Sequence, residues 1–311
     1  MGARPRWGLR TLGAVGALGA AAAVWGIGIE RHLFTLRRVE AAVLPPGTPP
    51  LRILHLSDIH MAPWQRRKQA WIASLASHRP DLIVNTGDNM GHIEGLRGLR
   101  AAFAGFRGTP GVFVHGSNDM HAPTPRNPLR YFLGPSRRRP AAPLLDVTAM
   151  ESFFTDELGW AGVNNAAATL DVSGIRIDAF GVGDAHHSDD RLDLIPELVA
   201  SLDAGADAGP ELTIGVSHAP YRRVLDALTE AGADVIFAGH THGGQVRIPG
   251  YGALVANCDI PLRQARGLST WRRGSRSIPL NVSAGLGHSI YAPVRFACRP
   301  EATLLTLVAR S

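Results

Sequence analysis

Short apolar runs recur through the first half of the chain, each emptying into a polar loop and followed by a stretch of helical spacing. Leu51-Arg52-Ile53-Leu54-His55-Leu56 reads as a buried strand that ends in Ser57-Asp58-Ile59-His60. Residues 65–78 then have helical composition and apolar spacing, with Ala70, Ile72, Leu75 and Ala76. Leu82-Ile83-Val84 is the next strand and runs into Asn85-Thr86-Gly87-Asp88-Asn89. After helical composition over 94–106, Val112-Phe113-Val114 ends in His115-Gly116-Ser117-Asn118-Asp119. This alternation predicts an α/β fold with its reactive side chains at the C-terminal ends of strands.

The second half is richer in strands. A short helix over 149–160 precedes a hairpin, 168–172 and 175–180, turning at Ser173-Gly174. A helix over 190–202 leads to Leu212-Thr213-Ile214-Gly215-Val216, which empties into Ser217-His218. Residues 221–231 are helical, and the run 233–238 feeds Gly239-His240-Thr241-His242-Gly243-Gly244-Gln245. Strands over 245–248, 280–283 and 302–308 complete the pattern.

Ahead of all this, Thr11 to Ile29 carries no charge and is built from Ala, Gly, Val, Leu and Ile with few exceptions. At about 1.5 Å per residue it can just cross a hydrocarbon core of roughly 30 Å. It reads as a single-pass N-terminal membrane anchor, with a cleaved signal peptide or a buried helix as alternatives. Arginines on both flanks leave its orientation open. Pro45-Pro46-Gly47-Thr48-Pro49-Pro50 excludes regular structure. The chain thus divides into an anchor with its flanks (1–38), a proline-rich linker (39–50) and a catalytic domain (51–309). An Arg- and Pro-rich insertion at 120–148 is either a solvated loop or a cap for an anionic substrate or lipid headgroup.

With 311 residues and 45% hydrophobic content, the chain can bury a full core. Its net charge is +6, and of 32 basic residues only Lys68 is lysine, so arginine usage is a general bias rather than a local patch. With aromatics at 6%, a nucleic-acid surface is not indicated. Cys258 and Cys298 are too far apart for a C-x-x-C site and read as ordinary thiols, with a single disulfide as the alternative in an oxidising compartment. Ser217 lacks a G-x-S-x-G elbow, which argues against a serine hydrolase.

The strand ends together supply Asp58, His60, Asp88, Asn118, His218, His240 and His242. This mixed nitrogen and oxygen set without thiolate suits Mn, Fe, Zn or Co. It has too many members for one tetrahedral ion and suits two ions about 3.5–4 Å apart. His186 and His187, beside Asp184, read as a polar loop, with lining of the site as the alternative, and His288 as a residue able to approach substrate. His32, His55, His78 and His92 read as structural or exposed, and Trp64, Trp71 and Trp160 as packing residues.

D-x-H, G-D-N, a third block G-S-N-D, S-H and G-H-T-H-G-G-Q occur in this order. In that order they resemble the calcineurin-like metallophosphoesterase superfamily, from about Leu51 to Leu307. Ser283 to Gly287 and Pro293 to Glu301 resemble its membrane-associated bacterial branch, which includes enzymes similar to UDP-2,3-diacylglucosamine pyrophosphatase. The resemblance implies a four-layer α/β/β/α sandwich with two mixed sheets. It implies one metal on Asp58, His60 and His242, a second on Asn118, His218 and His240, and Asp88 bridging. Asp88, His240 and Asn89 would act in catalysis, with Asn89 and the backbone at Gly243-Gly244 near substrate.

The implied reaction is in-line attack of a metal-bridging hydroxide on a phosphodiester or pyrophosphate, in a lipid-linked or nucleotide-sugar substrate. A soluble-nucleotide phosphodiesterase and a pseudoenzyme that binds metal or phospholigand without turnover are the alternatives. The third block departs from the family's G-N-H-[D/E]. Ser117-Asn118-Asp119 lacks the histidine that assists the leaving group, so the general acid is unassigned, with His115 and His121 as candidates.

Overall fold

The structure, a computed structural model, describes residues 7–125, 142–203, 209 and 211–310. Helix α1 (Trp7–Val24) passes through a π turn at Trp25–Ile29 and a 3-10 turn at Glu30–His32 into strand β1 (Thr35–Leu44). Then come β2 (Leu51–Leu56), α2 (Arg66–Ser74), β3 (Leu82–Asn85), α3 (Gly95–Phe103), β4 (Gly111–Phe113), the short α4 (Ser117–Met120) and α5 (Val147–Ser152). Next are β5 (Ala161–Gly162), the hairpin β6 (Ala166–Val172) and β7 (Ile175–Gly181), α6 (Ile195–Asp203), β8 (Leu212–Val216), α7 (Arg222–Glu230) and β9 (Val235–Ala238). The chain closes with β10 (Arg247–Ile248), β11 (Gly252–Ala253), β12 (Gly267–Arg273), β13 (Arg276–Val282) and β14 (Glu301–Ala309).

Two six-stranded mixed sheets result, in the orders β1-β14-β2-β3-β4-β5 and β12-β13-β9-β8-β7-β6. Central strands are apolar on both faces, and the period of two sorts their side chains. Ile53, Leu82, Val84, Val235, Phe237 and Leu305 meet in one core fed by both sheets. From the same strands Leu54, Ile83 and Leu304 turn to a core containing Ile72, Leu99, Phe103 and Phe154. Ile236 and Ala238 turn to a third, with Val224, Leu225 and Leu228 of α7. Burial on both sides fixes where each central strand stops, and so where its loop residues stand.

Four strands escaped the apolar pattern: β1, β12 and the two-residue β5 and β11. Residues 39–44, expected in a linker, are the second half of β1, paired in parallel with β14 from Thr35↔Glu301 to Leu44↔Ala309. An edge strand is held by one neighbour, so it tolerates Arg37, Arg38 and Glu40; Arg37 ion-pairs with the buried Glu301. Only the prolines after Leu44 are irregular. β12 is the edge of the other sheet and carries the polar Leu268-Ser269-Thr270-Trp271-Arg272-Arg273.

The stretch Gly13–His32 is long and apolar enough to cross a membrane, with mean hydropathy 1.4, and it is largely uncovered by the rest of the chain. Much of the predicted insertion, including Arg126, Arg130 and Arg137 to Arg139, lies outside the described residues. Cys258 and Cys298 are free thiols. Trp160 is a core residue, Trp71 stacks on Phe34, and Trp64 is exposed.

Candidate metal centre

The loops after β2, β3, β4, β8 and β9 converge between the two sheets, at the C-terminal ends of parallel strands. Asp58, His60, Asp88, His240 and His242 all have left-handed backbone, with φ of 46°, 43°, 54°, 65° and 49°. Non-glycine residues adopt this conformation at a cost, and strands locked on both sides hold them in it. The loops also press together at two glycines. A Cβ on Gly116 would collide with the Asp88 carboxylate and His218 Nε2, and one on Gly239 with Ser57 and Asp58.

The ligand atoms form two overlapping groups, Asp58/His60/His242 and Asp58/Asp88/His218, each with its atoms within 4.8 Å of one another. His60 Nε2 lies 3.2 Å from His242 Nε2 and 3.6 Å from Asp88 Oδ2. His242 Nε2 is 3.4 Å from Asp58 Oδ1, and His218 Nε2 is 3.5 Å from Asp88 Oδ2. Asn118 is fastened to the same carboxylate, its Nδ2 donating to Asp88 Oδ2 over 2.7 Å and its backbone N–H to Oδ1 over 2.8 Å. Asp58, and not Asp88 alone, stands between the groups.

His240 lies in neither group. Its backbone N–H donates to Asp58, and its Nε2 faces the Asn257 carbonyl at 3.2 Å. Its ring packs edge-on to His218 (5.2 Å between centroids) and against His186 at 4.4 Å. His186, expected in a polar loop, is therefore a wall of the site, held by Tyr221 Oη at 3.1 Å. His187 in turn pairs with the buried Asp184 at 3.0 Å. The sequence signal for these residues was only their adjacency to an aspartate.

Aligned with G-N-H-[D/E] without a gap, the third block puts Asn118 in the histidine's place; slid by one, it keeps Asn118 as ligand and puts Asp119 there. Asp119 does not occupy a histidine's place: it is fully buried and accepts the backbone N–H groups of Asp88 (2.8 Å), Asn89 (2.6 Å) and Gly116 (3.1 Å). It clamps the Asp88 loop to α4. Asn89 is also fully buried, its Oδ1 accepting from Asn85 Nδ2 at 2.7 Å. That places its side chain in the support of the loop. His115 is engaged by Glu151 at 2.8 Å on the α5 side, and His121 bridges to Leu144.

Behind Asp58 runs a directed chain of hydrogen bonds. Asn281 Nδ2 donates to His55 Nδ1 (2.7 Å), His55 Nε2 to Thr86 Oγ1 (3.0 Å), Thr86 to Ser57 Oγ (2.6 Å), and Ser57 to Asp58 Oδ2 (2.5 Å). Burial lowers His55 to about 3, so it stays neutral, as this chain requires. A histidine that reads as structural in the sequence thus orients a ligand through two hydroxyls.

The donor set fits cations. Burial lowers His60 to about 4 and His242 well below its ordinary value, so both rings present lone pairs at neutral pH. Two acceptor nitrogens 3.2 Å apart beside two carboxylates are reconciled by positive charge between them. Burial alone would lower His218, but the carboxylates of Asp88, Asp184 and Asp58 outweigh it and hold the ring at about 9. In the metal-free protein that proton stands where a cation would. A metal needs the neutral imidazole, so the proton competes below about pH 9 and this group alone costs roughly tenfold in affinity per pH unit below it. Calorimetric Zn(II) titrations from pH 6.5 to 9 are expected to show proton release and rising affinity; a flat profile would contradict the His218–Asp88 pairing.

A family model described as calcineurin-like phosphoesterase matches residues 51–244. The Bacillus subtilis (strain 168) protein YkuE, described as an uncharacterized metallophosphoesterase, is 24% identical over 310 residues, covering 95% of this chain and 95% of its own. Phosphodiesterase YaeI of Escherichia coli (strain K12) is 26% identical over 288 residues, 90% of each chain. Among solved structures, TT1561 of Thermus thermophilus aligns over 76% of this chain and 91% of its own, with TM-score 0.43 and 14% identity.

Proposed function

The chain belongs to the calcineurin-like phosphoesterase family and is a metal-dependent phosphoester hydrolase, and from that premise we propose that it cleaves a phosphodiester or pyrophosphate bond at a two-metal centre. The observation that carries this is the convergence of Asp58, His60, Asp88, His218 and His242 from four separate strand-end loops. We read the two sheets, their shared core and the helix-lined outer cores as four layers, α/β/β/α.

In this reading Asp58, His60 and His242 hold one divalent cation. Asn118, His218 and His240 would hold the other, with Asp88 contributing to both; His240 would have to turn from Asn257. Bound there, the cations would make a water acidic enough to attack phosphorus and would neutralise charge on the phosphoryl oxygens. The chain's own contribution is placement. Asp119 holds the Asp88 loop, the His55–Thr86–Ser57 chain orients Asp58, and the Thr86 carbonyl accepts the His218 Nδ1 proton at 2.7 Å, which points Nε2 at Asp88. The membrane-length helix before the domain favours an anchored enzyme and a lipid-linked or nucleotide-sugar substrate over a free nucleotide.

The deciding experiment pairs metal analysis of the purified full chain with turnover of an aryl phosphodiester, before and after chelation. Bound divalent metal is expected, with activity lost on chelation and restored by Mn, Fe, Zn or Co. Metal uptake without turnover would instead favour a phospholigand-binding protein, the outcome that the missing third-block histidine makes worth testing.

A further inference from the structure

His242 has an arginine behind it. Arg295 is fully buried, and among the described residues no ion pair holds it. Its guanidinium donates instead to backbone carbonyls: Nη1 to His242 (3.2 Å), and Nη2 to Gly285 (3.2 Å) and to Gly287. The Gly287 carbonyl lies 3.2 Å from His242 Nδ1, and Arg295 Nη2 itself lies 3.3 Å from the same nitrogen; a His242 that binds metal through Nε2 carries its ring proton on Nδ1, toward the carbonyl. With that proton on Nδ1, the Nε2 lone pair faces Asp58 and His60. Gly285 and Gly287 themselves abut the first ligand loop, because a Cβ on Gly285 would lie 2.5 Å from Asp58 Cβ and one on Gly287 2.8 Å from the Asp58 carbonyl. One cation therefore gathers the carbonyls on both sides of the Asp58/His60/His242 group.

The loop that carries Arg295 is held by the end of the N-terminal helix. Arg295 N–H donates to the Gly26 carbonyl at 3.1 Å. Glu30, 3% exposed, accepts from the backbone of Ala297 (2.9 Å) and Cys298 (2.7 Å), and Trp25 Nε1 fixes the same carboxylate at 2.7 Å. Gly26 packs so closely that a Cβ would meet the Arg295 carbonyl oxygen at 2.9 Å and Val294 Cγ2 at 3.2 Å. Around them Trp25, Ile27 and Ile29 stay exposed, so the two buried positions of this segment are those that grip the loop. A tether would need no such grip.

We propose that Arg295 is a positioning residue for the metal ligand His242, and that the segment Trp25–His32 sets its position through the 294–298 loop. The helix end is then a working part of the metal centre. This rests on the metal-binding reading of the site, and the test keeps the two separate. Full chain in detergent is loaded with Co(II), whose visible absorption reports ligand geometry, and affinity is measured by competition with a chelating dye.

Arg295→Lys, Gly26→Ala and Glu30→Gln are expected to shift or weaken the Co(II) bands and to lower affinity about 10- to 100-fold, the usual effect of losing a group that orients a ligand. They should also lower kcat more than they raise KM. Gly26→Ala is the sharpest of the three, since alanine favours the helix and can act only through the Arg295 loop. If Arg295→Lys does not fold, Gly26→Ala and Glu30→Gln decide. Folded variants with wild-type bands and affinity overturn the positioning role. Wild-type protein that takes up no Co(II) overturns the metal reading itself, and this inference with it.

Discussion

Asp88→Asn is expected to lower metal-dependent hydrolysis of an aryl phosphodiester by about 10³-fold or more, and bound metal from about two equivalents toward one. Asparagine matches the shape of aspartate, so packing against Gly116 is kept and the circular dichroism should be unchanged. The change is in charge and donor pattern. Asp88 Oδ2 is the atom that lies near His60, His218 and Asn118 together. Burial works to raise the Asp88 pKa, yet the imidazoles of His218 and His60 hold it below the ordinary value, so it is ionised wherever the enzyme works. The amide variant loses that charge, and with it one of the carboxylates that keep His218 protonated. Mass-spectrometric metal analysis beside steady-state kinetics reads both effects. Turnover within tenfold of wild type would sink the bridging role.

Asp119→Ala should act on stability first, by about 3–5 kcal/mol in urea unfolding of the metal-free protein. Its carboxylate satisfies the N–H groups of Asp88, Asn89 and Gly116, and Met90 N–H lies at 3.3 Å. Removing it strands those donors inside the protein. Asp119→Asn should rescue little, because its amide would turn a donor toward donors. If alanine instead abolished turnover and left unfolding unchanged, Asp119 would be a chemical group standing in for the absent histidine. One denaturation series distinguishes the two outcomes, because only the first lowers stability.

What the sequence made legible is what local pattern controls. Leu51 to Leu56, Leu82 to Val84 and Val235 to Ala238 announce themselves because they are buried on both faces, and the polar residues that end them had to be where they are. β1 was illegible because only β14, at the other end of the chain, makes it a strand. Arg295 and Glu30 were illegible for the same reason: nothing near either in sequence hints at its partner. Asp119 could be read as a misplaced ligand because spacing cannot tell a carboxylate that faces a cation from one that faces backbone N–H groups. A fragment started at the prolines after Leu44, as the apolar pattern would suggest, would strip β1 and uncover the edge of β14. It would also remove Gly26 and Glu30 from the Arg295 loop.

The five left-handed residues at the centre have a consequence for the life of the chain. Each costs about 1–2 kcal/mol relative to an ordinary backbone, and they are gathered where two imidazole nitrogens and two carboxylates are already crowded. Without ions this is a frustrated core, held in shape by sheets that gain nothing from it. Cations relieve the crowding, so metal loading and folding form one linked equilibrium. Chelated protein is therefore expected to unfold at a lower urea concentration, and to be cut faster by a protease, than the metal-loaded protein.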